Sequence, residues 1–125
     1  MLNTLTVRQI NNLLTGNDLA AEIPASAAQR RAFVVVGAYR DVGQSGGAPV
    51  SKFLNADQRD VRFWLRKYEI DTAYLENDWD VVEDDLQESL FLKGLASLEA
   101  VERELAKYLD DFANLDVSWR RDNPL

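Results

Sequence analysis

Four times along the chain a residue suited to cap a helix is followed three positions later by Gln or Glu: Thr6/Gln9, Ser26/Gln29, Asn55/Gln58 and Asp80/Glu83. In this pattern the first side chain accepts from a free backbone N–H at the start of a helix, while the second reaches back to the capping residue's own N–H. Each pair therefore predicts a helix start. The first helix is expected over residues 7–15, with Leu5 and Ile10 placed to staple its entry and Gly16 to end it. A second is expected over residues 27–42 and a third over 56–69, where Val61, Trp64, Leu65 and Tyr68 recur at the spacing of one buried face. From residue 81 to 115 the pattern stays helical, because Phe91, Leu98, Leu105 and Phe112 recur every seventh position with Val101, Tyr108 and Leu115 as companions.

These signals predict an all-α fold: a single-domain bundle of four to five helices over residues 1–125, with a flexible loop at 43–49 and an irregular tail at 116–125. The chain has the usual length of one domain, and 46% hydrophobic residues supply a core. Gly94 is the point at which the last helix would divide in two. The stretch "AFVVVGAY", residues 32–39, is read as part of the second helix; being β-branched it has a buried strand as its alternative, since periodicity does not separate the two over a short apolar run, and a strand there would make the fold α+β.

The chain contains no Cys and no His. That excludes disulfides, thiolate- or imidazole-held zinc, haem bound through His, and Ser-His or Cys-His nucleophilic catalysis. The expectation is a protein that is not an enzyme and carries no cofactor. Residues 32–39 are the longest apolar run, far short of the roughly 20 residues that span a bilayer, and the N-terminus has no basic start followed by an apolar segment. A cytoplasmic location without membrane association is expected.

Charge is distributed unevenly. Residues 1–68 hold nine Lys/Arg and five Asp/Glu, a net +4, whereas residues 69–125 hold five and sixteen, a net −11. The overall −7 argues against nucleic acid as a partner, since that affinity comes from a basic surface. Seven carboxylates crowd into "ENDWDVVEDDLQE", residues 76–88, around Trp79. An EF-hand needs Gly at its sixth position and Glu at its twelfth, where this stretch has Val81 and Gln87, so it is not a calcium loop. Carboxylates in the first turns of a helix starting at Asp80 would also interact favourably with its dipole.

Two further patterns bear on chemistry. The loop "GQSGGAP", residues 43–49, lacks the Lys-Ser/Thr that a phosphate-cradling loop requires, and reads as a connection. Asp80/Glu83 and Glu99/Glu102 form two acidic pairs that, on facing helices, would hold Mg²⁺ against a phosphate. In this they resemble the acidic pairs of all-α nucleoside triphosphate pyrophosphatases, although Asp80 departs from that family's Glu-rich pattern and the chain would have to fold back near Gly94. The resemblance implies a Mg-dependent nucleotide pyrophosphohydrolase with Asp80, Glu83, Glu99 and Glu102 as ligands. Arg59, Arg62 and Arg66 beside Phe63 form a basic ridge, suited either to pair with the acidic segment or to contact nucleic acid, and Trp119-Arg120-Arg121 either pins the tail or binds a partner.

The leading expectation is a small acidic protein-binding module. Asp78, Trp79, Asp80, Asp84, Asp85 and Glu88 would engage a basic protein, as an immunity- or antitoxin-type inhibitor engages a nuclease whose phosphate site the carboxylates imitate. The alternative is a self-associating helical scaffold that dimerises through the helix over residues 91–112.

Overall fold

The computed structural model describes residues 4–40, 48–49, 61–77, 79, 81 and 85–117. Its elements are α1 (Val7–Leu14), β1 (Leu19–Ile23), β2 (Arg30–Arg40), β3 (Ala48–Pro49), β4 (Val61–Asp71), α2 (Thr72–Glu76), β5 (Gln87–Leu95), α3 (Leu98–Leu105) and β6 (Asp116–Val117). All the strand pairings are antiparallel, in the order β5-β4-β2-β1-β6, with β3 paired to the far end of β2. The expected all-α bundle is overturned by this six-stranded sheet.

The reason lies in β2 and β4. Ala32, Val34 and Val36 of β2 pack into one core, while Phe33 and Val35 pack into another on the opposite face. A strand buried on both sides reads as a continuous apolar run and carries no alternation to betray it. In β4, Val61, Phe63 and Leu65 face the first core and Trp64, Tyr68 and Ile70 the second. Two interleaved period-2 stripes place apolar residues at i, i+3, i+4 and i+7, which imitates a helix. Ser26/Gln29 lies in the β1–β2 connection, not at a helix start, and residues 32–39 take the strand conformation that was the alternative reading.

The first face is covered by α1 and α3. Leu13, Val101 and Leu105 are fully buried against Leu19, Val34, Val36 and Leu65, and each fully buried Leu or Val contributes about 1.5–3 kcal/mol. Helix α1 forms where its capping box predicts: Thr6 Oγ1 accepts from Gln9 N at 3.2 Å and Gln9 Oε1 accepts from Thr6 N at 2.9 Å. The buried Gln9 amide then donates to Phe112 O at 2.8 Å and Leu115 O at 3.1 Å, tying the N-terminal helix to the C-terminal segment. Nearby, Leu5 N donates to Glu102 Oε2 at 2.7 Å.

The long helix expected over residues 81–115 is also overturned. Residues 87–95 are strand, α3 starts at Ser97, whose Oγ accepts from Ala100 N at 3.1 Å, and Phe112–Asn114 is a single 3-10 turn. The 91–112 seam therefore does not exist as a dimer surface: Val101, Leu105 and Phe112 are consumed by the chain's own core. Gly94, at φ +80°, occupies a β-bulge in β5. In the expected tail, Asp116 and Val117 pair with Ala20 and Leu19, and residues 118–125, including Trp119, Arg120 and Arg121, lie outside the described residues. So do Asn55, Gln58, Arg59 and most of the 43–49 loop, of which Ala48–Pro49 is β3.

Glu69 stands at the end of β4 with 2% of its surface exposed. Ser26 Oγ donates to it at 2.8 Å and Ser26 N at 3.1 Å, and Arg30 and Lys67 lie 3.7 Å and 3.8 Å away. Burial pushes its carboxyl up, but the Ser26 hydrogen bonds and the Lys67 and Arg30 charges outweigh burial, and the net direction is down. The carboxylate thus clamps the β1–β2 connection to β4.

Candidate functional site

The acidic segment leaves β4 through α2. Asp71 caps this helix by accepting from Ala73 N at 3.0 Å, and Asn77 closes it by donating from both its backbone and its side chain to Ala73 O. Tyr74 and Leu75 then lie on the second sheet face with Val81 and Leu86, over Phe33, Tyr68 and Ile70. Burial pushes the Tyr68 phenol far up its scale, with the Arg66 charge acting against it.

On that base sits Trp79. Its backbone N donates to Tyr74 O at 2.9 Å, and its ring meets the Tyr74 ring edge-on, with centroids 5.5 Å apart. The Tyr74 hydroxyl in turn donates to Asp85 Oδ1 at 2.9 Å, a bond that raises the phenol above its ordinary range, reinforced by the Asp85 charge. The indole is nevertheless 55% exposed. A large aromatic is thus held by two contacts and left in solvent, with little side-chain freedom remaining to it.

Of the other expected contact residues, Asp85 reaches Tyr74 from a 3-10 position. Glu88 is exposed in β5 at φ +48°, in a β-bulge, and its carbonyl accepts from Lys67 Nζ at 3.3 Å. Asp78, Asp80 and Asp84 lie outside the described residues, as does Glu83. Glu99 is exposed in the first turn of α3, and Glu102 is engaged with Leu5 N. Among the described residues no three acidic groups are placed to share a metal ion, and no pair of facing helices exists to carry the two acidic pairs. That corrects the all-α frame on which the pyrophosphatase resemblance depended.

The basic ridge also changes partners. Phe63 is 4% exposed on the first face, whereas Arg62, Trp64 and Arg66 share the second. Trp64 lies across Gly37 of β2, Asp18 Oδ1 also stands close over that glycine, and the Trp64 ring is 6.0 Å from that of Phe91 in β5. Arg66 stacks over Phe91 at 5.0 Å, and Lys93 over Tyr39 at 5.1 Å. Phe91, expected inside a helical seam, is 47% exposed at the sheet edge. No helical spacing could have revealed this, since the placement depends on β5 being the last strand.

Asp18 carries no hydrogen bond or ion pair among the described residues, and burial pushes its carboxyl above the ordinary 3.8. A raised folded pKa means that the folded state binds the proton more tightly, so ionised Asp18 weakens the fold above that pKa and the penalty fades as pH falls toward 3.8. Asp18→Asn is expected to raise the melting temperature at pH 7 by about 2 °C, with the gain disappearing in acid. A gain that persists below pH 3.8 would assign it to something other than charge.

No protein family, curated protein or solved structure matches this chain. Among the described residues no helix is long and apolar enough to cross a membrane.

Proposed function

We propose that the chain is a protein-binding module whose acidic segment, residues 76–88, docks a basic partner with Trp79 as its anchor. The observation that carries this reading is the 55% exposure of an indole fixed by Tyr74, within a stretch of seven carboxylates. An exposed aromatic supplies apolar contact area, and the surrounding charge steers a partner of opposite sign. A basic nuclease fits this chemistry, because carboxylates can occupy the positions of the phosphates it binds. The module would then act as its inhibitor, in the manner of an immunity protein or antitoxin.

The test is affinity capture on immobilised protein, run in parallel with Trp79→Ala, followed by titration of the captured protein against each. The expected partner is basic, and binds with an on-rate that falls steeply as salt shortens the range of attraction to about 8 Å. Trp79→Ala is expected to cost about 2 kcal/mol of binding, roughly 30-fold in Kd, without lowering the melting temperature. Equal affinity for both proteins, or a salt-insensitive on-rate, overturns the reading. Nuclease activity that survives saturation by the module removes the inhibitor role and leaves the binding role.

A further inference from the structure

At three places an aromatic ring of this chain is met by one of its own cations: Arg31 lies over Phe33 at 5.4 Å, Arg66 over Phe91 at 5.0 Å and Lys93 over Tyr39 at 5.1 Å. The pair formed by Trp79 and Tyr74 is different. Among the described residues no cation stands over either ring. The adjoining chain supplies none, because between Lys67 and Lys93 the sequence holds nine Asp/Glu and no Lys or Arg.

The two rings are perpendicular, with centroids 5.5 Å apart, so their faces form a right-angled corner. An ion about 4 Å from each ring plane in that corner lies within about 6 Å of both centroids, the range over which the negative face of a ring attracts a cation. The indole is 55% exposed, and since its two faces make up most of its surface, at least one of them is open. Tyr74 donates its hydroxyl to Asp85 Oδ1 at 2.9 Å, and a phenol that donates to a carboxylate carries more electron density in its ring. The corner also selects the shape of its ion. A guanidinium is planar and stacks flat on one ring, whereas an ammonium is compact, presents its charge in every direction and faces both.

We propose that the corner between Trp79 and Tyr74 takes an alkylammonium group, supplied as a lysine side chain of the basic partner. The inference rests on the docking reading above and deepens it: the indole acts through its π face on one lysine, and not only as apolar contact area. The nine carboxylates between Lys67 and Lys93 bring a cation to this segment, and the two rings decide which cation stays.

The probes are short labelled peptides that carry lysine, trimethyl-lysine, arginine or norleucine at a single position in a Gly/Ser background. Lysine and arginine bear the same charge, so the acidic stretch attracts them alike and a difference between them reports the corner. Lysine is expected to bind more tightly than arginine, and norleucine, which lacks the ammonium, least tightly. Trimethyl-lysine keeps the charge with weaker hydration and should exceed arginine roughly five-fold. Trp79→Leu keeps apolar bulk without a π face, and should erase the preference over arginine while leaving the melting temperature unchanged; Trp79→Phe should restore part of it. Arginine or norleucine binding as tightly as lysine overturns the proposal, and so does a preference that survives in Trp79→Leu. The two readings fail separately. A captured partner that loses affinity with Trp79→Ala but not with Trp79→Leu removes the ammonium site and leaves the docking reading. A partner indifferent to Trp79→Ala, with the peptide preference intact, removes the docking reading and leaves the ammonium site.

Discussion

Glu69→Ala is expected to destabilise the protein by about 3–5 kcal/mol, the usual effect of removing one member of a buried ionic group, and to lower the melting temperature by roughly 10 °C or more. The loss has two sources. Ser26 loses both of its hydrogen bonds to the carboxylate, which frees the β1–β2 connection, and Arg30 and Lys67 are left partly buried without their shared acceptor. Glu69→Gln keeps the shape and an acceptor for Ser26 but not the charge, so it should fall between Ala and wild type. The pH dependence gives a second check. The folded carboxyl lies below its ordinary 4.5, so its contribution is fully present above 4.5 and is lost as pH falls through the folded value. The gap between Glu69→Ala and wild type should be constant at neutral pH and close in acid. A melting temperature within a degree or so of wild type at pH 7 would mean that Ser26 and the two cations find water as readily as they find Glu69.

Gly37→Val is expected to cost about 3 kcal/mol, at the upper end of ordinary overpacking. A Cβ at position 37 would stand 2.5 Å from both the Trp64 ring and Asp18 Oδ1, closer than real side chains come. Backbone strain is not the cause, since Gly37 sits in a regular strand paired to Trp64; the space above it is filled by the indole. The substitution must therefore lift Trp64 off β2. Near-UV circular dichroism and tryptophan emission should report that displacement directly, and the Trp64–Phe91 contact next to the β5 edge should loosen with it. An unchanged aromatic spectrum with unchanged stability would show that the indole has room to move that the packing does not suggest.

The sequence alone was sufficient where structure is local. The Thr6/Gln9 box and Gly16 located α1, because a capping box needs only residues within one turn of each other. Composition excluded thiolate and imidazole chemistry outright, and the crowding of carboxylates around Trp79 was visible as a string of letters. Residues 32–39, read as helix with a strand as the alternative, mark the limit of that local information: their β-branched run favours a pleated surface, but a short apolar run does not choose between the two by itself.

Only the tertiary structure decided the rest. Val61, Trp64, Leu65 and Tyr68 satisfy helical spacing, yet they divide between the two faces of β4, because β4 lies between β2 and β5 and buries side chains on both faces. Phe91, Leu105 and Phe112 share a seven-residue period, yet one ends exposed on an edge strand, one in a helix and one in a 3-10 turn. Which faces of a strand are covered, and which strand is left at the edge, depend on pairing between residues far apart in sequence. β2 meets β4 from Arg30 with Asp71 to Arg40 with Val61, and β1 meets β6 across almost the whole chain. Periodicity measures which residues are apolar and how they are spaced, but a period-2 pattern buried on two faces and a period-3.6 pattern buried on one can be the same string, and only the long-range ladder of hydrogen bonds separates them.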